Sequence, residues 1–197
     1  TGPDLSAPAV WAIAVDAQGI LYAGTGNDGK ILKIENRTTQ TFYDAPEPEV
    51  QALLMGPDGR LFAAANPDGK VYAIDKAGKS TVFFDPDERY IWALAFDSQG
   101  RLYVATGGEG KVYRVDSKGQ GTAILSSQDA HVTSLATAPS GGVFAGSSPS
   151  GLVYACFTHV PLWIDFPAYV TPIHLGQAQG DGRLNLERSP YKYDIIA

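Results

Sequence analysis

The sequence predicts an all-β protein, a β-propeller built from four-stranded antiparallel blades. The prediction rests first on a glycine that recurs at steps of 40, 41 and 41 residues, at Gly19, Gly59, Gly100 and Gly141. A second glycine keeps the same steps, at Gly29, Gly69, Gly110 and Gly151. Two markers with one shared period are typical of a repeat protein in which each copy forms one small supersecondary unit.

Each copy is predicted to contain four short strands, as the third copy illustrates. Its first strand is the apolar run IWALAF at 91–96, which is typical of a strand buried on both faces. The turn DSQG leads to RLYVAT at 101–106, which is rich in β-branched and aromatic residues. The turn GGEG leads to the alternating strand KVYRVD at 111–116, and TAIL at 122–125 is the fourth strand. Four strands in about 41 residues match one propeller blade.

Two other fold classes are excluded by the same pattern. A helical fold fails because glycine or proline interrupts the chain about every ten residues, and no window keeps the apolar spacing of a helix. An immunoglobulin-like sandwich also uses short strands, but it has no reason to repeat with this period.

Composition and charge argue against some classes of function, such as nucleic-acid binding. The chain has 197 residues with 22 glycines and 13 prolines, which suits one domain of short strands and tight turns. A net charge of −6 without clustered Lys and Arg argues against nucleic acid, and no apolar run reaches the roughly 20 residues of a membrane span. The single cysteine, Cys156, excludes an intramolecular disulfide. The chain opens without Met, so a removed leader and a periplasmic or secreted location both stay open.

We expect one domain over 1–197, with clear repeats at 10–156 and a degenerate segment at 157–197 that forms the last of five blades. In this arrangement LWIDF at 162–166 is the outer strand of the fourth blade, and the residues after it supply the fifth. The first ten residues align with TFYDAPEPEV at 41–50 and are interpreted as an outer strand that the C-terminus completes. Two alternatives stay open: four blades with a tail, and part of a larger propeller or one completed by a second copy. Monomer and homodimer are therefore both open.

Three segments carry a resemblance to known repeats: GRLYVATGGEGKVYRVD, GRLFAAANPDGKVYAID and GILYAGTGNDGKILKIE. They resemble bacterial β-propeller repeats of the broad NHL, gluconolactonase-like and quinoprotein-like group. The tryptophan–aspartate repeat is a poorer match because its Gly-His and Trp-Asp pairs are absent. The resemblance implies the fold and not one activity, since such repeats serve enzymes, sensors and scaffolds. Gluconolactonase-like members hold a divalent metal with Glu, Asn and Asp side chains, but no motif assigns those ligands here.

Ligands of propellers usually bind over the central channel, at the face formed by the links between blades and the hairpins between second and third strands. Nine ligand-binding candidates are predicted there: Trp11, Asn27, Glu49, Asn66, Arg89, Tyr90, Trp92, Glu109 and His131. Other positions recur between copies and are interpreted as structural. These are the turn residues Asp28 and Asp68, and the packing aromatics Tyr22, Phe62, Tyr103 and Phe144.

The candidates that indicate function best are the residues that are not repeated at the equivalent position of the other copies. Trp11 and Trp92 are replaced by Gln51 and Thr133 in the other copies, and two indoles at a channel mouth suit a sugar or another flat ligand. His131 occurs once, at a blade junction, and is the best-placed residue for acid–base chemistry, although no nucleophile or carboxylate stands at a fixed spacing from it.

Other candidates suit polar or ionic partners. Arg89 offers a fork for a carboxylate or a phosphate. Glu49, Asn66 and Asn27 carry oxygen atoms of the kind that bind divalent cations, but nothing in the sequence shows that they converge.

We therefore expect a binding or scaffold propeller that engages a small molecule, a glycan or a protein on its loop face. We assign no catalytic residue, metal ligand or cofactor, and we favour binding over catalysis. The first alternative is a metal-dependent hydrolase or lyase of the gluconolactonase-like type, whose cofactor would be a divalent metal. The second is a propeller fragment without independent activity.

Overall fold

The computed structural model describes residues 7–138 and 142–156, together with the backbone of two strands at 171–175 and 186–188. All elements in these ranges are β-strands, which confirms the all-β prediction. The same ranges contain no helix long and apolar enough to cross a membrane.

Three complete blades follow one another along the chain, each with its strands in sequence order. Blade 1 contains β1 (Ala9–Val15), β2 (Leu21–Gly26), β3 (Lys30–Glu35) and β4 (Thr38–Asp44). Blade 2 contains β5 (Glu49–Met55), β6 (Leu61–Asn66), β7 (Lys70–Ile74) and β8 (Ser80–Phe84). Blade 3 contains β9 (Tyr90–Phe96), β10 (Leu102–Gly107), β11 (Lys111–Val115) and β12 (Gly121–Ser126). The predicted repeat of four antiparallel strands is thereby confirmed.

Blade 4 begins in the same way, with β13 (His131–Thr137), β14 (Val143–Ser148) and β15 (Val153–Cys156). Its fourth strand is β16 (Thr171–Leu175), which pairs with β15, and β17 (Leu186–Arg188) pairs with β16 in turn.

The edge position predicted for residues 162–166 is taken by β16, so that prediction is wrong. Both segments are short and mix apolar with polar residues, and their residue patterns alone do not show which of them pairs with β15. Residues 162–166 themselves lie outside the described residues, as does most of the segment expected to form a fifth blade. Residues 1–6 of the expected closing strand also lie outside them, and the fifth blade stays a prediction.

The core lies between successive blades. Tyr22 and Ile31 of blade 1 pack with Val50 and Leu53 of blade 2 in the first of three apolar clusters. The second cluster joins blades 2 and 3, and the third joins blades 3 and 4. The recurring aromatics Tyr22, Phe62 and Tyr103 each belong to one of these clusters. Their interpretation as packing between sheets is confirmed.

Candidate functional site

The hairpins and the inter-blade links form one packed face, as the sequence predicts. After blade 1 the Gly29 N–H donates to the Pro48 carbonyl at 2.8 Å, and the Ala45 N–H donates to the Gly29 carbonyl at 2.9 Å. A Cβ at Gly29, where φ is +63°, would collide with the carbonyl oxygen of Glu47. The glycine is required because both the backbone conformation and the space exclude a side chain. Gly69 and Gly110 meet their own links in the same way.

Each link also carries a buried carboxylate, at Glu47, Glu88 and Asp129. Glu47 accepts a hydrogen bond from the Tyr72 hydroxyl at 2.9 Å and lies 3.6 Å from the Lys70 ammonium. Burial and the neighbouring Glu47 carboxylate together raise the pKa of Tyr72. Sequence reasoning missed these carboxylates, although the step of 41 residues that separates them is a signal that could have found them.

The carboxylates of the other two links are also held by hydrogen bonds or ion pairs, but with different partners. Glu88 lies 3.5 Å from the Lys111 ammonium and accepts from the Tyr113 hydroxyl at 3.5 Å. Asp129 accepts from the Ser150 hydroxyl at 2.7 Å. Each carboxylate therefore attaches its link to the following blade. Its hydrogen bonds and ion pairs serve the packing of the blades.

Four of the predicted candidates meet at the junction of blades 3 and 4. The guanidinium carbon of Arg89 lies 5.2 Å from the ring centroid of Tyr90. The Tyr90 ring stacks on Trp92 with centroids 5.2 Å apart and 20° between the planes. The Trp92 indole meets His131 edge-on at 5.7 Å, and its Nε1–H donates to His131 Nδ1 at 3.2 Å. We call Arg89, Tyr90, Trp92 and His131 the aromatic ladder.

A β-bulge sets the direction of Trp92. Ile91 pairs with Thr106 and Ala93 pairs with Ala105, so Trp92 is the extra residue between two paired ones. Bulges re-aim a side chain and are frequent beside functional sites. The bulged residue recurs in the first strand of every blade, at Trp11, Gln51, Trp92 and Thr133.

The rings of Trp92 and His131 lie against the backbone of a glycine, Gly107. A Cβ at Gly107 would collide with Nε1 of Trp92 and would lie 2.5 Å from Nδ1 of His131. Gly26 has the same relation to Trp11, since a Cβ there would collide with the Trp11 indole nitrogen. Both indoles thus lie against the backbone of the neighbouring strand, at positions where any side chain would displace them.

The hydrogen bond inside the ladder determines the form of His131. The indole Nε1 can only donate, so Nδ1 of His131 is the acceptor and the neutral ring carries its proton on Nε2. The Nε2–H is then the hydrogen-bond donor of the neutral ring. The ladder therefore combines a flat aromatic surface with an imidazole donor and a guanidinium.

The remaining candidates do not join the ladder. Trp11 lies two blades away, and Glu49 is half-buried at the start of blade 2. Asn27 is an exposed hairpin residue with φ of +71°. Glu109 is exposed and forms an ion pair with Lys111.

Asn66 has a structural role, because its side chain is buried and holds two strands together. Its side chain is fully buried. The amide oxygen accepts from the Ile91 N–H at 2.9 Å, and the amide nitrogen donates to the Ile91 carbonyl at 3.2 Å. Asn66 therefore fastens blade 2 to the first strand of blade 3, beyond the reach of a ligand. In the part of the chain that the structure describes, no three His, Cys, Asp or Glu side chains are grouped to hold a metal ion.

A cavity of about 260 Å³ lies away from the ladder, between the first turns of blades 1 and 2. Tyr22 and Phe42 line it with rings that meet edge-on at 5.0 Å. None of the nine candidates lines this cavity.

Sequence comparison gives one family match. The model of the family described as two component regulator propeller matches residues 85–108, which comprise the link before blade 3 and the whole of its first two strands. No curated protein matches the sequence.

Several solved structures share the fold. A catalytically inactive variant of virginiamycin B lyase from Staphylococcus aureus, with quinupristin, has a TM-score of 0.68 at 13% identity and covers 92% of this chain and 70% of that chain. The calcium-binding protein regucalcin from Agrobacterium tumefaciens has a TM-score of 0.57 at 19% identity, covering 68% and 51%. A candidate gluconolactonase has a TM-score of 0.57 at 15% identity, covering 73% and 58%. Identities this low show a shared fold and leave the function open.

Proposed function

We propose that this β-propeller repeat protein is a binding module, and that its aromatic ladder holds a ligand with a flat face and a carboxylate. The observation that carries the proposal is a continuous series of contacts: the Arg89 guanidinium lies over Tyr90, Tyr90 stacks on Trp92, and Trp92 meets His131 edge-on. Aromatic rings that recur in every blade serve packing, whereas this stack occurs at one junction only among the described blades. A uronic acid or a flat aromatic acid has the complementary chemistry.

The charge of Arg89 supports an acidic ligand. The side chain is exposed, and within residues 7–138 and 142–156 no carboxylate forms an ion pair with it. A guanidinium binds a carboxylate through two parallel hydrogen bonds, and such charge-assisted bonds are about twice as strong as neutral ones. Stacking on an aromatic ring adds about 0.5–1.5 kcal/mol beyond the area that is buried.

Calorimetric titration of the full chain tests the proposal. The probes are oligogalacturonate, a neutral maltooligosaccharide and indole-3-acetate. We expect the acidic probes to bind, Trp92→Ala to weaken them about tenfold or more, and Arg89→Ala to weaken them without affecting the neutral sugar. Trp11→Ala is the matched control, because Trp11 occupies the same bulge over its own glycine and lacks the rest of the ladder. Equal losses in the two tryptophan variants, or no binding of any probe, would show that the ladder serves packing alone.

A metal-dependent lyase or hydrolase is the second candidate. The names of the structural neighbours favour it, since they comprise a lyase, a candidate gluconolactonase and a calcium-binding protein. The family description favours the binding module, because a regulator needs a domain that recognises a signal. Thermal melting with Ca²⁺ or Mg²⁺ separates the two, since an ion that binds only the folded state raises Tm and a chelator reverses the rise. A binding module of the proposed kind melts at the same temperature with and without chelator.

A further inference from the structure

The rings that line the cavity between blades 1 and 2 have an equivalent pair at the next junction. Tyr22 and Phe42 line the cavity and meet edge-on with centroids 5.0 Å apart. At the junction of blades 2 and 3, Phe62 and Phe83 meet in the same way at 5.1 Å. The guanidinium carbon of Arg60 lies 5.2 Å and 5.5 Å from the centroids of these two rings. A cation therefore lies over the second pair of rings.

Blade 1 lacks this arginine. The residue after the turn glycine is Arg60 in blade 2, Arg101 in blade 3 and Ile20 in blade 1. Both arginines form an ion pair with an aspartate of their own turn, through Nε at 2.7 Å from Asp58 Oδ2 and at 2.6 Å from Asp97 Oδ2. Isoleucine has no polar side-chain atom, so this position of blade 1 supplies neither the ion pair nor the cation over the rings.

An aspartate nevertheless stands in the turn of blade 1, as it does in blade 3. Oδ1 of Asp16 and Oδ1 of Asp97 each accept from the N–H groups two and four residues further on, all at 2.9 Å. Asp97 also holds Arg101, whereas among the described residues no lysine or arginine forms an ion pair with Asp16. Asp16 is half-buried and lines the cavity with Tyr22, and burial together with the Asp16 charge raises the pKa of that tyrosine.

A second difference between the two junctions leaves the cavity open. Phe96 of blade 3 packs its ring edge-on against Phe62 with centroids 5.2 Å apart. The equivalent residue of blade 2 is Met55, since each pairs with the leucine that follows the turn. Met55 lines the cavity together with the buried side chains of Leu61 and Ile74. The place that a phenylalanine ring and an arginine occupy at one junction is thus a cavity of about 260 Å³ with an apolar wall at the other.

We propose that this cavity binds a guanidinium group at the end of an apolar stem, as in arginine. The guanidinium takes the place of the arginine that blades 2 and 3 carry themselves. It lies over Tyr22 and Phe42 and bonds to the Asp16 carboxylate, while the stem packs on Met55. A planar guanidinium suits this site because it stacks on aromatic rings and binds a carboxylate through a fork of N–H groups. The site is separate from the aromatic ladder, and neither proposal depends on the other.

The charges around the cavity are compatible with a cation. Asp75 also lines it, so two carboxylates accompany one ammonium, that of Lys76. Asp75 and Lys76 are both exposed, and water and salt screen their charges. The half-buried Asp16 is screened less and is therefore the main electrostatic partner of the ligand.

Titration of the full chain, followed by proton–nitrogen correlation NMR, tests the proposal. The probes are Nα-acetylarginine amide, free arginine, and Nα-acetylcitrulline amide, in which a neutral urea of the same shape replaces the guanidinium. We expect the two arginine probes to shift the amide signals of residues 16–20. The citrulline probe should bind about tenfold more weakly or not at all, because it brings no charge to Asp16. Both arginine sources support the proposal: tighter binding of the capped form indicates an arginine of a peptide, and tighter binding of free arginine indicates the amino acid itself.

Two variants fill the site from within the protein. Ile20→Arg restores the arginine of blades 2 and 3, and Met55→Phe restores the ring of Phe96, so each should abolish binding of the arginine probes. Asp16→Asn keeps an oxygen for the turn and removes the charge, and it should weaken binding about tenfold. Asp58→Asn is the matched control, because Asp58 belongs to the next turn and does not line the cavity, and it should bind the probes like the wild type.

Circular dichroism and an unshifted indole N–H signal of Trp92 confirm that each variant is folded. Four results would overturn the proposal. They are the absence of binding at millimolar probe, equal binding of the arginine and citrulline probes, binding that survives both Ile20→Arg and Met55→Phe, and equal losses in Asp16→Asn and Asp58→Asn.

Discussion

The aromatic ladder depends on the absence of a side chain at Gly107. Trp92 and His131 come from different blades, and both place a ring nitrogen where a Cβ of residue 107 would stand. The hydrogen bond between their rings spans 39 residues of sequence, so it exists only because blades 3 and 4 dock. The ladder is therefore a property of the junction.

Gly107→Ala should disrupt the ladder. The added Cβ collides with Trp92, and overpacking of this kind costs about 1–3 kcal/mol. We expect a shift of tryptophan fluorescence and a loss of binding to the acidic probes. Gly26→Ala is the control, since it displaces Trp11 in the same way and should shift the fluorescence without loss of binding. Unchanged fluorescence in Gly107→Ala would contradict the packing described.

Asp97 illustrates a buried carboxylate held in its charged form. Burial by itself raises the pKa of Asp97, but hydrogen bonds from the Arg101 N–H and guanidinium and from the Gln99 N–H outweigh burial and lower the pKa below its usual range. Because the pKa is lower in the folded state, the carboxylate stabilises the fold at pH values above the pKa of the unfolded chain. That contribution is lost as the pH falls through the folded pKa.

Asp97→Asn should therefore destabilise the protein in a pH-dependent way. We expect a loss of about 1–3 kcal/mol at pH 7, because charge-assisted hydrogen bonds are removed, and a smaller loss at pH 2, which lies below the pKa of the unfolded carboxyl, where the contribution of the charge decreases. Urea unfolding at both pH values measures the difference. Asp68→Asn, at an exposed ion pair with Lys70, should change stability little at either pH. A loss for Asp97→Asn that is independent of pH would refute the role of its charge.

At the scale of elements, the links decide how one blade is placed on the next. A link contributes a buried carboxylate, and the following hairpin contributes the donors that satisfy it, such as Tyr72 for Glu47. Since a buried charge without partners is costly, each carboxylate favours one orientation of the two blades. The links are thus structural joints as well as the rim of the candidate site.

Tyr72→Phe should weaken the joint between blades 1 and 2. It removes the hydroxyl that bonds to Glu47 and leaves the carboxylate with Lys70 at 3.6 Å, so we expect a loss of about 1–3 kcal/mol in urea unfolding. Glu49→Gln, two residues further along the chain at the start of β5 and less buried, should stay within about 0.5 kcal/mol of the wild type. Similar losses in the two variants would contradict the assignment of Glu47 as the joint.

At the scale of the whole molecule, stability is spread over the junctions between blades. Each described junction has its own apolar cluster, so opening one junction exposes one cluster. Cys156 belongs to the cluster of blades 3 and 4, and burial raises the pKa of its thiol to about 12. Its reactivity reports on that junction.

Cys156 should be inert to a disulfide reagent in the native protein at pH 8. The thiol is buried, and at that pH only about one in ten thousand is ionised. Full denaturation should make labelling complete, and Val132→Ala, which leaves a gap in the same cluster, should speed labelling under native conditions. Ile13→Asp lies at the far end of the array and should not speed it. Rapid labelling of the wild type would contradict the packing of blade 4.

The sequence predicts the blades well because their determinants are local. Turn glycines such as Gly59 and Gly100 adopt φ of +80° and +74°, conformations that favour glycine whatever surrounds them. Alternation of apolar residues gives the strands for similar reasons. Near the C-terminus these local signals are insufficient, because neither 162–166 nor β16 carries a residue pattern that identifies the strand that pairs with β15.

The sequence alone determined the fold class, the four-stranded blade and its period, and it placed Arg89, Tyr90, Trp92 and His131 among the nine ligand-binding candidates. Only the tertiary structure decided that these four meet, that Asn66 is buried and bonded to Ile91, and that Glu47, Glu88 and Asp129 fasten the links. The physical reason is distance along the chain. Strands and turns depend on neighbours within a few residues, whereas each of these contacts joins residues from different blades or from a link and a hairpin, and it forms only when whole sheets pack face to face.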